Sequence, residues 1–382
     1  MSENKLHLTQ ATLITADLVI PDSSLLIEQD QIVAINPTHV PSNCQEVKLQ
    51  GAYLMPGLID LHGDGIEKML EPRPGVLFPT EFALRAMDSQ LLASGITTVY
   101  HAFSFAENEL GVRNAAFAAE IVREIHALKS VLKLDTRAHC RYEITCASSL
   151  PHLQDLMDAQ QVDLLSVMDH TPGQGQFKSD HSYAEYLIKS YQHTHASAMA
   201  LIEEKKTVRD QVHSDLVQLV DQAKAAGVVV ASHDDDSPQK VEYVQSLGVQ
   251  ISEFPLNISA AESAYQAGIA TLFGAPNIVR GRSQSSGMRA MDAILGGHAT
   301  CLCSDYMHTA LLMAVFKIFK ESILSLPAAV RLVTLNAANA VNDATIGEIA
   351  VGKKANLIAV RWDGQHPIVE STWLDGHCLH RL

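Results

Sequence analysis

A chain of 382 residues, 47% of them hydrophobic and 19% charged, is long enough and apolar enough to bury a large core, which excludes an intrinsically disordered protein. Its formal net charge of −15 argues against nucleic acid or an anionic membrane as a general partner, because both need a basic protein surface. Six scattered cysteines, a polar N-terminus and the lack of an apolar stretch of membrane-spanning length predict a cytoplasmic protein.

Short β-type runs separated by Pro, Asp and Asn turn residues fill the first fifty positions, and similar runs return only near the C-terminus. The runs are residues 11–14, 25–28, 31–35, 347–352 and 355–360. We therefore predict that residues 1–54 and 345–382 pair into one small β domain, a β-sandwich, beside a larger unit formed by residues 55–344.

Between the two ends, apolar strand-like segments alternate with helical patterns, which is typical of βα units around a parallel sheet. The candidate strands are residues 58–64, 97–102, 134–141, 164–170, 228–233, 249–254, 269–274 and 300–304. Eight such strands close a (β/α)8 TIM barrel, whose active site lies at the C-terminal ends of the strands. Residues 171–215 interrupt the alternation and are predicted to form a lid over that site.

The first barrel strand ends in His62 and Asp64. Side chains two positions apart on a strand project to one face, so an imidazole and a carboxylate would meet at the strand end. Catalytic divalent metals bind such ligands, although short pairs of this kind also occur by chance at solvated strand ends. Further donors follow the later strands, which predicts one or two ions of Zn, Mn or Fe. The predicted ligands are His62, Asp64, Glu143, His170, His233 and Glu253.

These ligands have alternatives. An isolated histidine is more often a satisfied core residue, but the repeated position of His170 and His233 at strand ends favours ligands. A buried Glu253 would be costly without a cation, and an exposed loop position is equally compatible with the sequence. Asp305 could cap the following helix, yet a carboxylate after the last strand is also suited to act as general base toward a water molecule. We predict the base.

Substrate binding is predicted for cationic and imidazole side chains near the mouth of the barrel. Arginine gives bidentate contacts to phosphate oxygens, which makes a phosphorylated small molecule the expected partner. The residues are Lys68, Arg73, His139, Arg141, Arg280 and Arg282. For the loop residues among them, a place on the surface is the alternative.

Several segments resemble the amidohydrolase superfamily of metal-dependent hydrolases. Its general frame is matched by residues 56–62, 95–99, 335–340 and 347–356. More narrowly, the chain is similar to the PhnM family of diphosphatases from the bacterial carbon–phosphorus lyase pathway. That similarity is carried by residues 70–76, 168–177, 231–235, 253–255, 274–281 and 304–306.

The resemblance implies a metal-dependent barrel that hydrolyses a phosphoanhydride, converting α-D-ribose 1-methylphosphonate 5-triphosphate to the 5-phosphate and pyrophosphate. The superfamily usually has His-x-His on strand one, whereas this chain, like the PhnM family, has Asp64 in the second place. Its neighbours Gly63 and Gly65 are smaller than the family pattern leads us to expect. Either Glu143 or His170 must take the position often held by a carboxylated lysine.

Two other functions compete with this interpretation. A hydrolase of C–N bonds in cyclic amides, N-acyl groups or deaminase substrates would use the same metal frame, because fold alone does not fix the substrate. A non-catalytic assembly protein that has lost its metal is disfavoured by the number of donors at strand ends. A homo-oligomer is compatible with the sequence.

Overall fold

The computed structural model describes residues 5–107, 113–171, 179–191, 193–209, 212–284 and 287–382. The strands are β1 (Lys5–Ile14), β2 (Val19–Glu28), β3 (Gln31–Ile35), β4 (Gln45–Lys48), β5 (Tyr53–Pro56), β6 (Leu58–Gly63), β7 (Ile96–Phe105), β8 (Asp135–Glu143), β9 (Leu164–Met168), β10 (Val229–His233), β11 (Ile251–Glu253), β12 (Ala270–Gly274), β13 (Cys301–Cys303), β14 (Leu357–Trp362), β15 (Pro367–Leu374) and β16 (His377–Arg381). The helices are α1 (Ile66–Leu70), α2 (Thr80–Ala93), α3 (Ala115–Leu128), α4 (Ser149–Asp158), α5 (Asp180–Tyr191), α6 (His195–Arg209), α7 (His213–Ala225), α8 (Pro238–Leu247), α9 (Ile258–Gln266), α10 (Ala275–Arg280), α11 (Ala290–Leu295), α12 (Ala310–Lys320), α13 (Leu326–Arg331) and α14 (Leu335–Ala340).

Strands from both chain ends share one mixed sheet in the order β16-β15-β14-β5-β1-β2-β3, with β4 paired to β1. The central strand β5 joins the two ends, because it pairs parallel with β1 and antiparallel with β14. Leu25, Leu54, Leu357 and Trp373, drawn from both halves of the sheet, belong to one buried apolar cluster. The prediction that the two ends build a common β unit is confirmed, while its exact boundaries stay predictions.

One predicted β run is wrong. Residues 347–352 form an irregular loop, in which Gly347 and Gly352 have φ values of 93° and 88°. Two left-handed glycines turn the backbone away from the extended conformation that a strand requires. The adjoining Lys353 nevertheless accepts a hydrogen bond from the backbone N–H of Ile32 at 2.9 Å, which ties the loop to β3.

Eight parallel strands, β6 to β13, follow one another in chain order around a nearly closed barrel, and each coincides with a predicted strand. Their residues alternate between two apolar clusters. On β10, Val229 and Ala231 belong to the cluster inside the barrel, whereas Val230 belongs to the cluster packed against the surrounding helices. Burial on both faces explains the continuous apolar runs in the sequence. The predicted TIM barrel is confirmed.

The barrel closes at a seam between its first and last strands. No ladder joins β13 to β6 within the described ranges; an isolated parallel bridge connects Gly63 with Asp305 instead. The backbone N–H of Asp305 donates to the carbonyl of His62 at 2.9 Å, and that of Asp64 donates to the carbonyl of Asp305 at 3.0 Å. The seam therefore passes through the residues predicted for metal binding and catalysis.

The predicted insertion lies between β9 and β10 and contains helices α5 and α6. Tyr183, Leu187, Ala198 and Ile202 form a small apolar cluster that holds the two helices together. Residues 172–178, 192, 210 and 211 of this segment lie outside the described residues, and its action as a lid stays a prediction. None of the described helices is both long and apolar enough to cross a membrane.

Candidate metal centre and substrate cavity

A cavity of about 1330 Å³ opens at the C-terminal ends of the barrel strands, where TIM barrels place their active sites. Helix α5 of the insertion contributes Tyr183 and Tyr186 to its wall. Most of the predicted site residues also line it, namely His62, Asp64, Lys68, Arg73, Arg141, His170, His233, Arg280 and Asp305. The exceptions are three fully buried residues, His139, Glu143 and Glu253, and the exposed Arg282.

Ligand atoms of His62, Asp64 and Asp305 lie within 4.8 Å of one another and form a first donor group. Burial and then the positive charge of Arg141 lower the pKa of His62 well below its usual value, so its imidazole is neutral, as metal ligation requires. Burial and then the negative charge of Asp64 raise the pKa of Asp305 to about 8. A cation between these carboxylates would relieve their repulsion.

A second donor group shares His62 and adds His139 and Glu253. Glu253 Oε1 lies 3.1 Å from His62 Nδ1, and Oε2 lies 3.7 Å from His139 Nε2. Within the described part of the chain, neither Glu253 Oε2 nor His139 Nε2 has a hydrogen-bond partner, although both atoms are buried. Such unsatisfied buried atoms cost free energy unless a ligand binds them, and an N and O donor pair fits a divalent ion.

The tautomer of His139 makes it suitable as a metal ligand. Its Nδ1 lies 3.1 Å from the carbonyl oxygen of Leu61, a partner that only an N–H can satisfy, so Nε2 carries the free lone pair. Burial lowers the pKa of His139 to about 3, which keeps the ring neutral. Because His139 is fully buried, its position does not support the predicted contact with substrate.

A third donor group consists of His170, His233 and Asp234. Asp234 Oδ2 lies 3.3 Å from His233 Nδ1 and 3.7 Å from His170 Nε2. Asp234 was not among the predicted ligands, although the run of three aspartates after the fifth barrel strand was a signal for it. Its neighbour Asp235 has a different role, because its carboxylate accepts hydrogen bonds from serine hydroxyls on β10 and β11.

Glu143 contacts this third group from the end of β8. Its Oε2 lies 2.8 Å from His170 Nδ1, while Oε1 accepts a hydrogen bond from the Thr145 hydroxyl at 2.7 Å and lies 3.8 Å from Lys205 Nζ. Burial alone would raise the pKa of Glu143, but Lys205 and His170 outweigh it and lower the pKa to about 2. Glu143 is therefore an ionised carboxylate with one oxygen held by the protein and the other directed at His170.

The backbone is strained where these groups converge. Asp234, Phe254 and Asp305 follow β10, β11 and the last barrel strand with φ values of 57°, 53° and 54°. Residues with a Cβ rarely adopt this left-handed conformation, and such strain is concentrated at functional sites. Aspartate adopts this conformation more readily than most residues with a Cβ, whereas Phe254 has no such local preference.

Cationic side chains line the same cavity. Arg141 is 7% exposed and its Nε has no hydrogen-bond partner among the described residues, which leaves a buried donor beside the third group. Arg280 donates from NH1 to the Tyr306 hydroxyl at 3.1 Å. Arg113, which was not predicted, also lines the cavity and contacts Glu67 with Nε and NH2 at about 3.0 Å. We call the five cationic lining residues the basic wall, although as many carboxylates line the same cavity; they are Lys68, Arg73, Arg113, Arg141 and Arg280.

The barrel, its strand-end donors and the sheet built from both chain ends define a metal-dependent hydrolase fold. The chain belongs to the amidohydrolase family, whose model matches residues 53–379. Over 334 residues it is 34% identical to the α-D-ribose 1-methylphosphonate 5-triphosphate diphosphatase of Escherichia coli (strain K12), covering 86% of this chain and 88% of that enzyme.

Two solved structures show the same fold. N-acetylglucosamine-6-phosphate deacetylase from Pasteurella multocida has a TM-score of 0.66 at 17% identity, with 98% of this chain and 99% of that one covered. Ochratoxinase from A. niger has a TM-score of 0.65 at 14% identity, with 100% of this chain and 97% of that one covered. At such low identity these similarities concern the fold alone.

Proposed function

We propose that this protein is a metal-dependent diphosphatase that converts α-D-ribose 1-methylphosphonate 5-triphosphate to the 5-phosphate and pyrophosphate. The observation that carries the proposal is the similarity to the E. coli diphosphatase over most of both chains. The basic wall beside the donor groups supports it, because a triphosphate needs cations next to the reacting phosphorus. Among the described residues that line the cavity, no feature favours the C–N hydrolase over this reaction.

The residues present fit one or two divalent ions. His62 and Asp64 would hold the first ion, with the buried His139 and Glu253 behind them. The third donor group, whose members lie at the ends of β9 and β10, would hold the second ion together with Glu143. Bound ions would supply Lewis-acid chemistry, which lowers the pKa of water and neutralises negative charge on phosphoryl oxygens.

In the proposed reaction, the oxygen of a water molecule forms a bond to phosphorus, the bridging P–O bond breaks, and pyrophosphate leaves. Asp305 takes the proton of that water, because its carboxylate follows the last barrel strand and lies beside His62 and Asp64. Arg141 binds the oxygens of the attacked phosphoryl group, because its guanidinium lies deepest among the cations. Lys68, Arg73 and Arg280 bind the leaving pyrophosphate, and Arg282 stays a prediction.

The test supplies purified protein with Zn²⁺, Mn²⁺ or Fe²⁺ in turn and follows the triphosphate by ³¹P NMR. We expect stoichiometric 5-phosphate and pyrophosphate, and no turnover after removal of the metal. Hydrolysis in ¹⁸O-labelled water then identifies the attacked phosphorus by the product that carries the label. Turnover confined to amides or to N-acyl compounds would overturn the proposal. A cytoplasmic location and a homo-oligomeric state stay predictions.

A further inference from the structure

Asp60 is a buried carboxylate in the middle of β6 that belongs to none of the donor groups. It is 0% exposed. Its Oδ1 accepts hydrogen bonds from the backbone N–H of Ser304 at 2.9 Å and of His62 at 3.3 Å, and its Oδ2 accepts one from the Ser304 hydroxyl. Because Ser304 directly precedes Asp305, one carboxylate holds the backbone at both His62 and Asp305.

The hydrogen bonds of Asp60 to His62 and Ser304, which we call the Asp60 link, lie at the barrel seam. Elsewhere in the barrel, parallel ladders join each strand to its neighbour. Between β13 and β6 the described structure has only the Gly63–Asp305 bridge, so a side chain must supply part of the alignment. The two oxygens of Asp60 supply it, because they accept hydrogen bonds from groups on both sides of the seam.

Gly63 provides the space that the link needs. A Cβ at Gly63 would lie 2.9 Å from Asp60 Oδ2 and 3.4 Å from the Ser304 hydroxyl oxygen. The first distance is shorter than a non-bonded carbon–oxygen contact allows, so any side chain at this position would displace the carboxylate. Asp60, three positions earlier on the same strand, therefore explains why the residue between His62 and Asp64 is a glycine.

We propose that Asp60 is a positioning residue that sets the distance between His62 and Asp305 across the barrel seam. This inference rests on the proposed function, in which His62 holds the first ion and Asp305 takes the proton of the attacking water. Groups that orient metal ligands typically change metal affinity 10- to 100-fold when they are removed. Asp60 acts on the first donor group indirectly, through the backbone N–H groups of His62 and Ser304 and the Ser304 hydroxyl.

The experiment compares Asp60→Ala with Asp60→Asn, and uses Asp88→Asn as a control. The carboxamide introduced by Asp60→Asn can still accept from both backbone N–H groups, and the serine hydroxyl can accept from its NH₂ group. Asp88 is likewise buried and accepts a backbone N–H bond from Lys133 at 2.7 Å, but it lies on α2 outside the cavity wall. Metal affinity is measured by competition with a chromophoric chelator, without substrate, and kcat and KM are measured separately.

For Asp60→Ala we expect metal affinity to fall at least about 10-fold and kcat about 100-fold, with KM changed less than about 3-fold. Asp60→Asn should recover most of both losses, and Asp88→Asn should lower only the melting temperature. An Asp60→Ala protein with wild-type metal affinity and kcat would overturn the inference, even if it were less stable.

If Asp60→Ala does not fold, Ser304→Ala replaces it, because that change removes one hydroxyl and keeps the backbone bond. A loss of metal affinity of about 3-fold or more would then support the inference, and an unchanged affinity would reject it. Since this readout needs no turnover, a wild-type protein that fails to hydrolyse the triphosphate would reject the proposed function and leave this test valid.

Discussion

Asp305 combines a position after the last barrel strand, a left-handed backbone and a carboxyl pKa of about 8. A carboxyl of this kind is protonated near neutral pH in the metal-free protein, and a cation that offset the charge of Asp64 would lower its pKa. The side chain was predicted as the general base from the sequence, and its environment is consistent with that role.

For Asp305→Asn we expect a loss of kcat of about 100-fold or more, because an amide cannot take the proton of the attacking water. His62 and Asp64 remain, so most of the metal should be retained. Steady-state kinetics and metal analysis on the same preparation test this. A normal kcat would remove Asp305 as the base.

Gly63 and Gly65 flank Asp64 and differ in what a side chain would meet. A Cβ at Gly63 contacts the fixed Asp60 carboxylate, whereas one at Gly65 lies 3.1 Å from the flexible end of Met87. We expect Gly63→Ala to lower the free energy of unfolding by about 1–3 kcal/mol, and Gly65→Ala to change it much less. Urea unfolding of the two variants provides the comparison, and equal effects would contradict it.

Among the secondary-structure elements, α10 shows how a short helix delivers a cation to the cavity. Helix α10 has Pro276 in its first turn and is followed by Gly281, which has a φ of 73°. Both signals are typical of helix ends. Arg280 is its last residue and lines the cavity, whereas Arg282, two positions later, does not.

This difference makes a matched test of the basic wall. We expect Arg280→Ala to raise KM for the triphosphate about 10-fold, which corresponds to one lost charge-assisted hydrogen bond of about 1.4 kcal/mol. Arg282→Ala should change KM less than about 2-fold. An equal or larger effect at Arg282 would contradict the assignment of Arg280 to the cavity wall.

Helix α6 of the insertion places a buried lysine beside Glu143. Ala198, Ile202 and Lys205 form its buried face, at the spacing of successive helical turns. A lysine on an otherwise apolar face requires an anion, and Glu143 supplies it at 3.8 Å. We expect Lys205→Met to lower kcat, because Glu143 would lose its ionised partner beside the third donor group.

Lys206→Met is the control for that change. Lys206 is adjacent on the helix but pairs with Asp180 of α5 at 2.7 Å, within the insertion itself. It should keep wild-type kcat and metal content. If both lysine variants had equal activity, the insertion would not act on the metal centre through Lys205.

Across the whole molecule, the residues expected to stabilise the barrel lie at one end of its strands and the metal donors lie at the other. The donors lie at strand ends, whereas Arg137 lies near the start of β8 and contacts Asp135 and Asp343 at 2.7 Å and the Tyr100 hydroxyl at 2.6 Å. This network joins two barrel strands to the segment after α14. In TIM barrels that end of the strands contributes to stability rather than to chemistry.

Arg137→Met should therefore destabilise the protein by about 2 kcal/mol, because two partly buried carboxylates lose their partner, with kcat unchanged. Arg85→Met is the control, since its pairing with Glu81 is about half exposed and contributes less than about 0.5 kcal/mol. Chemical denaturation and kinetics together test the separation. A large loss of kcat in Arg137→Met would contradict it.

The barrel and most of the cavity wall follow from the sequence. Apolar runs such as residues 229–233 are local signals of strands buried on both faces, and the C-terminal ends of parallel strands must converge. Donors placed at those ends, such as His62 and His170, are therefore predictable from position alone. The loop at residues 347–352 was mistaken for a strand because β-type residues there are overruled by glycine geometry.

Which buried groups act together depends on the three-dimensional fold. The chain separates Asp60 from Ser304 and Glu143 from Lys205 by 244 and 62 positions, and no local pattern indicates that they meet. Whether His139 faces substrate or another donor likewise depends on the tilt of β8 and on the burial of its ring. Strand periodicity fixes which face a side chain takes, but pairing across the seam depends on barrel closure, which is a property of all eight strands at once.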